Sequence, residues 1–218
     1  MNRHFFAFGS GPPFTDKLAE KYIELTSGGP IAIILVERED WQSFMPNYTK
    51  RLIASGHDRF SYIPLPTIQE KQAVAEIKKS GGIILCGGET DRYADYIVDT
   101  AIGAAIKAVY DQGVPVAGFS AGALISPQQT SISAKDNREN AFVERKGIGL
   151  LENIFLAVHF SEWDEESHLQ QLAAKHPSSI HYGIDENTGV YFHNGRLATT
   201  EGRGVYQMVD GKCRKLPG

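Results

Sequence analysis

The pentapeptide Gly118-Phe119-Ser120-Ala121-Gly122 has the composition of a turn that presents a serine nucleophile. Residues 114–117 before it are apolar and predict a short buried strand, and residues 121–125 predict the start of a helix. A glycine on each side removes the Cβ atoms that would clash in a sharp strand-to-helix turn, so the hydroxyl is exposed at the carboxyl edge of a sheet. In the simpler alternative, Ser120 only caps the helix.

A serine nucleophile needs a base within hydrogen-bond reach, and histidine is the usual one. Of the seven histidines, His159 directly follows an apolar strand predicted over residues 154–158. We expect it at the carboxyl edge of the sheet, where open parallel sheets bind ligands and where the serine turn must lie. The alternative is a half-buried structural histidine beside Phe160. We interpret the later histidines as structural: His168, His176, His181 and His193.

The acidic residue that would orient the imidazole cannot be chosen by spacing, because triad members recur in unrelated chain orders. The carboxylates that fit are Asp136, Glu139, Glu144, Glu152, Asp185 and Glu186. The six therefore remain alternatives on the residues alone.

Two backbone N–H groups are needed to stabilise an oxyanion. One is expected from Ala121, the residue after the serine. We assign the other to Gly88 in Cys86-Gly87-Gly88-Glu89-Thr90, because paired glycines let a backbone amide approach a substrate closely. The alternative is a plain strand-to-helix turn without a ligand.

Neither glycine-rich turn of the chain matches a cofactor motif. The segment 86–90 lacks the spacing of a phosphate-binding loop, and Gly9-Ser10-Gly11-Pro12 lacks the full dinucleotide fingerprint. We expect no metal and no organic cofactor.

Short apolar runs alternate with helical patterns over the first two thirds of the chain. This pattern predicts an α/β fold, a three-layer α/β/α arrangement around a mostly parallel sheet. The predicted strands cover residues 5–8, 31–36, 62–65, 82–86 and 114–117. The predicted helices cover residues 15–26, 41–55, 68–80, 91–111 and about 164–175.

The rest of the chain has a different pattern. Residues 126–146 are polar, and the charged part of this segment predicts a solvated loop. Later apolar or alternating segments predict antiparallel strands that extend one edge of the sheet, at residues 179–184, 190–193, 196–199 and 205–209. Asn194-Gly195 and Asp210-Gly211 favour type I′ hairpin turns between strands.

The bulk composition excludes several classes of partner. The chain has 218 residues, of which 42% are hydrophobic and 22% charged, so we expect a single domain over residues 1–218. A net charge of -4 argues against a nucleic-acid partner.

The apolar run at residues 5–8 is too short for a signal peptide or a membrane span. The two cysteines, Cys86 and Cys213, fit a reducing cytosol, so we expect a cytoplasmic protein without a membrane partner.

Five ordered motifs over roughly residues 80–190 resemble the peptidase E and cyanophycinase family of serine peptidases. They are the two glycine segments already described, Gly147-Ile148-Gly149-Leu150-Leu151, His159-Phe160 and Gly183-Ile184-Asp185-Glu186-Asn187-Thr188. The resemblance implies a fold like that of class I glutamine amidotransferases with serine replacing cysteine. It also implies a Ser–His pair aided by an acidic residue, and hydrolysis of peptides next to acidic residues.

The resemblance assigns roles position by position. Ser120 matches the nucleophile, His159 the base, and Gly88 with Ala121 the oxyanion donors. In the family the acid lies shortly after the serine, which favours Asp136. Glu139 and the later Glu186 are the alternative acids.

Two departures from the family bear on the substrate. Glu89 stands where the family has asparagine, and residues 161–168 contain four carboxylates where cyanophycinases carry several arginines. Like charges repel, so this segment argues against cyanophycin and against aspartyl dipeptides. Arg92 and Arg138 are the cations left to serve the site, and Trp163 is either a subsite wall or core packing.

Our hypothesis from the sequence is a serine peptidase that hydrolyses small peptides through an acyl-enzyme. The expected partner is a small peptide, and the sequence also allows a homodimer. Two alternatives remain: a small α/β-hydrolase esterase, which shares the turn, and a noncatalytic binding protein that retains the fold.

Overall fold

The computed structural model describes residues 1–137 and 140–217, and its elements are numbered along the chain. The strands are β1 (His4–Phe8), β2 (Ile31–Val36), β3 (Phe60–Leu65), β4 (Gly82–Leu85), β5 (Val116–Phe119), β6 (Gln129–Ile132), β7 (Val143–Lys146), β8 (Ile154–Val158), β9 (Ile180–Ile184), β10 (Gly189–His193), β11 (Arg196–Glu201), β12 (Val205–Val209) and β13 (Lys212–Lys215). The helices are α1 (Asp16–Leu25), α2 (Trp41–Phe44), α3 (Pro46–Ala54), α4 (Glu70–Lys79), α5 (Thr90–Ile97), α6 (Ala101–Asp111), α7 (Ala121–Leu124) and α8 (Glu166–Lys175).

The largest sheet in the described part of the chain has seven strands, in the order β11-β10-β1-β5-β4-β2-β3. Five neighbouring strands of this sheet run parallel: β1, β5, β4, β2 and β3. Strands β10 and β11 add an antiparallel edge beside β1. The central strands β4 and β5 are wholly buried, as their unbroken apolar sequences require. The predicted α/β class with a mostly parallel sheet is confirmed.

A second sheet holds strands that the sequence assigned to the edge of the first one. Its order is β13-β12-β9-β8, and β8 runs parallel to β9. Parallel neighbours need a crossover connection, and α8 supplies it between β8 and β9. Of the four strands predicted at this edge, β10 and β11 extend the main sheet, whereas β9 and β12 lie in the second sheet. The prediction is therefore wrong for β9 and β12.

The predicted hairpin turns are present in both sheets. Asn194 and Gly195 have φ values of 51° and 76°, and Asp210 and Gly211 have values of 50° and 72°. Both central residues of a type I′ turn need positive φ, so the type I′ turns predicted at Asn-Gly and Asp-Gly are confirmed.

Local chemistry divides two of the predicted helices. The helix predicted over residues 41–55 is broken before Pro46, which has no N–H and begins α3. The helix predicted over residues 91–111 is broken near Asp99, which has a φ of 56°. Thr100 then caps α6 by accepting a hydrogen bond from the Gly103 N–H.

The polar segment 126–146 contains two paired strands that the sequence did not predict. Strands β6 and β7 pair antiparallel from Gln129 opposite Lys146 to Ile132 opposite Val143. Across residues 1–137 and 140–217, no helix has the length and apolar character needed to cross a membrane.

The carboxyl end of β1 is where the two sheets meet. The Gly9 N–H donates a hydrogen bond to the Thr188 carbonyl oxygen at 3.0 Å. A Cβ atom at Gly9 would overlap the carbonyl oxygens of Ile184 and Asp185, at the end of β9. Glycine is required here because the backbones of the two sheets approach too closely for any side chain.

We predict that Gly9→Ala separates the two sheets. The added methyl group has no room against fixed backbone, so the variant should lose about 1–3 kcal/mol of unfolding free energy, measured by chemical denaturation. Gly11→Ala is the matched control, because nothing lies within 4 Å of a Cβ at that position. Equal stability of the two variants would contradict the close approach.

Candidate active site

Ser120 occupies the strained turn between β5 and α7. Its φ of 48° and ψ of -109° lie outside the conformations that a residue with a side chain normally adopts. A Cβ at Gly122 would overlap the Leu85 carbonyl oxygen of β4, so the turn packs directly on the neighbouring strand. The helix after the serine is a single turn, and the Ala121 N–H at its first position has no intrahelical acceptor.

A continuous chain of hydrogen bonds joins Ser120, His159 and Glu186. Ser120 Oγ lies 2.9 Å from His159 Nε2, and His159 Nδ1 lies 2.7 Å from Glu186 Oε1. An ionised carboxylate only accepts hydrogen bonds, so Nδ1 carries the proton and donates it to Glu186. Nε2 is then free to accept the Ser120 hydroxyl hydrogen, as a general base must.

His159 reaches Ser120 from the second sheet, because it follows β8. Its backbone N–H donates to the Gly9 carbonyl oxygen at 2.8 Å, and the Ser120 N–H donates to the Phe8 carbonyl oxygen at 3.0 Å. Adjacent carbonyl groups at the end of β1 therefore fix both residues. The imidazole also stacks on Trp163, with ring centroids 4.1 Å apart and planes 12° apart. Trp163 thus packs against the candidate base.

Two interlocking loops hold Glu186 in place. Its backbone N–H donates to Glu162 Oε2 at 3.0 Å. The preceding Asp185 is buried, and its Oδ1 accepts the Ser161 N–H at 3.0 Å. The loop after β8 and the loop after β9 are therefore joined by hydrogen bonds between side chains and backbone. The sequence ranked Asp185 only as an alternative acid and gave Glu162 no positioning role, because such contacts between loops leave no periodic signal.

Asp136 lies near the imidazole but is hydrogen-bonded elsewhere. Thr90 Oγ1 donates to Asp136 Oδ2 at 2.6 Å. Burial raises the pKa of Asp136, while the Thr90 hydrogen bond and the nearby His159 oppose that rise. Of the two carboxylates, the structure brings Glu186 and not Asp136 to Nδ1. Glu139 lies outside the described residues.

The remaining candidate acids have other surroundings. Glu144 contacts the C-terminal end of α8. Its Oε2 lies 2.9 Å from His176 Nε2, and its Oε1 lies 2.7 Å from Lys175 Nζ. Glu152 lies on the exposed turn before β8. In the described part of the chain, no group of three or more His, Cys, Asp and Glu side chains is placed to hold a metal ion.

Two buried tyrosines hold the glycine loop that follows β4. The Gly87 N–H donates to Tyr48 Oη at 2.9 Å, and Tyr93 Oη donates to the Gly87 carbonyl oxygen at 3.1 Å. Tyr93 Oη also accepts the Val36 N–H at 3.1 Å. A Cβ at Gly87 would lie 3.5 Å from Ser120 Cβ, so this fixed loop borders the serine.

The loop presents Gly88, the predicted second oxyanion donor, as an exposed residue. The sequence did not single out Tyr48 or Tyr93, because each looks like an ordinary apolar position of its helix. Of the predicted cations, Arg92 lies at the start of α5, with Nη1 at 3.9 Å from Glu89 Oε1, and Arg138 is outside the described residues.

Comparisons with known proteins agree with this architecture. The family model described as peptidase family S51 matches residues 32–200. A solved structure of a peptidase from an acI-B1 Actinobacterium superposes with a TM-score of 0.73 and 21% identity, covering 99% of this chain and 98% of that one. A putative peptidase E protein from Listeria monocytogenes gives a TM-score of 0.68 and 16% identity, covering 92% of this chain and 98% of that one.

Similarity to curated proteins covers a smaller part of those proteins. A cyanophycinase from Geminocystis herdmanii is 25% identical over 149 residues, which are 66% of this chain and 55% of the relative. A cyanophycinase from Nostoc sp. is 25% identical over 146 residues, or 65% of this chain and 49% of the relative. The chain thus spans about half the length of these relatives. The family model covers most of the chain in order, and the solved structures share its fold: the chain belongs to peptidase family S51.

Proposed function

We propose that the chain is a serine peptidase that hydrolyses small peptides through an acyl-enzyme on Ser120. The observation that carries the proposal is the hydrogen-bond chain from Ser120 Oγ through the His159 imidazole to Glu186 Oε1. Membership in peptidase family S51 supports the reaction class. In this proposal Glu186 takes the role of the acid, which the sequence had assigned to Asp136.

In each half of the proposed reaction, His159 first accepts a proton and then returns it. Ser120 transfers its proton to His159 Nε2 as Oγ attacks the substrate carbonyl carbon, and the carbonyl electrons move onto its oxygen. The Gly88 and Ala121 N–H groups donate to that oxyanion. His159 returns the proton to the leaving nitrogen as the C–N bond breaks, and the acyl group remains on Oγ as an ester. Water then gives a proton to Nε2 as its oxygen attacks the ester carbonyl carbon. His159 returns that proton to Ser120 Oγ as the C–O bond breaks, which releases the carboxylic acid and restores the serine hydroxyl.

The charges around the site favour a substrate without acidic side chains. Glu186 and Asp136 lie beside the imidazole, and Glu162 holds the Glu186 backbone. A second anion from the substrate would be repelled by these carboxylates. We therefore propose a neutral or basic small peptide as the substrate of this chain. Two free cysteines, one of them buried, are consistent with action in the cytoplasm.

Reaction with a fluorophosphonate probe tests the nucleophile. We expect one covalent adduct on Ser120, because its hydroxyl is hydrogen-bonded to the His159 imidazole. Mass spectrometry of the intact protein and of its peptides would detect and locate the adduct. Ser120→Ala should give no adduct and should lower peptide turnover by at least about 10³-fold. A folded wild-type protein that stays unlabelled and cleaves no peptide would favour the noncatalytic alternative, and turnover of esters alone would favour the esterase.

Paired substitutions separate the two carboxylates near His159. Glu186→Gln removes the charge that stabilises the imidazolium, so kcat should fall by about 10²–10⁴-fold. Asp136→Asn, which leaves the Nδ1 contact in place, should lower kcat by less than about 10-fold. A large loss in Asp136→Asn with a small one in Glu186→Gln would return the role to Asp136.

Tyr93→Phe tests whether the glycine loop must be held rigidly. The variant keeps the ring but loses the hydroxyl between Val36 and Gly87, so kcat should fall by about 10–100-fold with little change in KM. Tyr22→Phe is the control, because its buried hydroxyl donates to the Ile83 carbonyl at the opposite end of β4. If both variants lose the same stability and the same kcat, Tyr93 has only a structural role.

A further inference from the structure

A cavity of about 300 Å³ lies beside the glycine loop, which separates it from Ser120: Gly87 and Gly88 line the cavity and Ser120 does not. Its walls come from the end of β2, from α2 and α3, and from the start of α5. We call it the Trp41 cavity; the residues that define it here are Leu35, Trp41, Phe44, Met45, Tyr48 and Gly88. The hydrogen-bond chain described above uses none of these side chains.

The Trp41 cavity is joined to the reaction centre through the glycine loop. Gly88, the proposed oxyanion donor, forms part of its wall, and so does Gly87. A Cβ at Gly87 would also lie 3.5 Å from Ser120 Cβ. A substrate carbonyl on Gly88 therefore lies at the mouth of this cavity. The cavity also opens at the carboxyl ends of parallel strands, where such sheets bind ligands.

The interior of the cavity is apolar in character. Leu35, Met45 and Tyr48 are buried in its walls. The Tyr48 hydroxyl oxygen already accepts the Gly87 N–H, so it offers less to a polar ligand. Burial raises the pKa of the Cys86 thiol, which keeps it uncharged. An apolar group gains from entering such a space, whereas a charged group would lose its hydration.

The rim of the cavity carries charges of both signs. The Arg38 guanidinium lies over the Phe44 ring, 4.4 Å from its centroid, and Arg92 lies 3.9 Å from Glu89. Glu37 is also part of the wall. The positive charges of Arg38 and Arg92 are balanced by the negative charges of Glu37 and Glu89. The rim therefore gives no net attraction for an acidic side chain.

We propose that the Trp41 cavity binds one aromatic or large aliphatic side chain of the substrate, adjacent to the scissile amide. The inference rests on the proposed peptidase function and names its substrate class. The volume lies at the small end of ligand pockets, which suits one side chain of a short peptide. Stacking on Trp41 and Phe44 supplies the preference for an aromatic group.

Two dipeptide series test this assignment, X-Gly and Gly-X, with X being Phe, Leu, Ala or Asp. In one of the series, Phe and Leu should be cleaved with a kcat/KM at least about 10-fold above Ala and Asp. Phe44→Ala and Trp41→Ala should each reduce that preference several-fold. Ile53→Ala is the matched control, because it is an exposed apolar residue of the neighbouring α3 that does not line the cavity.

The rate of Ser120 labelling by a fluorophosphonate separates the role of the cavity from the peptidase activity itself. Unchanged labelling in all three variants, with the preference reduced only in Phe44→Ala and Trp41→Ala, supports the assignment. Peptide cleavage that needs Ser120 but favours Ala or Asp, or a preference that survives both cavity variants, overturns the assignment and leaves the peptidase proposal standing. Absence of both labelling and cleavage overturns the peptidase proposal, and the cavity assignment with it.

Discussion

The arrangement of this site depends on two adjacent carbonyl groups at the end of β1, those of Phe8 and Gly9. The Phe8 carbonyl accepts the Ser120 N–H and the Gly9 carbonyl accepts the His159 N–H, so residues from two different sheets are fixed to adjacent points of one backbone. The same glycine donates its N–H to Thr188, which ties the Glu186 loop to that point. Backbone hydrogen bonds of this kind vary little in length, and that limits how far Ser120, His159 and Glu186 can move apart.

Strain at the site is consistent with this anchoring. Ser120 and His159 both have φ near 50°, a region that residues with side chains rarely occupy. Such conformations persist only where the surrounding structure enforces them, and both residues are held by β1. Tyr48 and Tyr93 hydrogen-bond to Gly87 and so fix the glycine loop on the other side of the serine. The candidate nucleophile, the base and the Gly87 loop are therefore each hydrogen-bonded to the end of β1 or to a buried tyrosine.

Local features of the sequence were sufficient for much of the fold. The apolar runs predict β1, β2, β4 and β8, and the glycines around Ser120 predict the turn between β5 and α7. Each of these patterns is confined to a few neighbouring residues. The second sheet was missed because strand pairing between β8 and β9 is a long-range property. The partner of His159 Nδ1 could not be chosen from spacing either: Glu186 is 27 residues away and is brought close by loop contacts at Glu162 and Asp185. The importance of Gly9 is visible only once the two sheets are placed together.

The central claim is that Ser120, His159 and Glu186 act as one hydrogen-bonded unit beside the Gly88 and Ala121 N–H groups. A crystal structure of the protein after reaction with a fluorophosphonate tests this claim most directly. The account predicts phosphorus bonded to Ser120 Oγ, a phosphonyl oxygen within hydrogen-bond distance of both N–H groups, and His159 Nδ1 still bonded to Glu186. An adduct on another residue, a phosphonyl oxygen directed away from Gly88 and Ala121, or an imidazole bonded to Asp136 would contradict it.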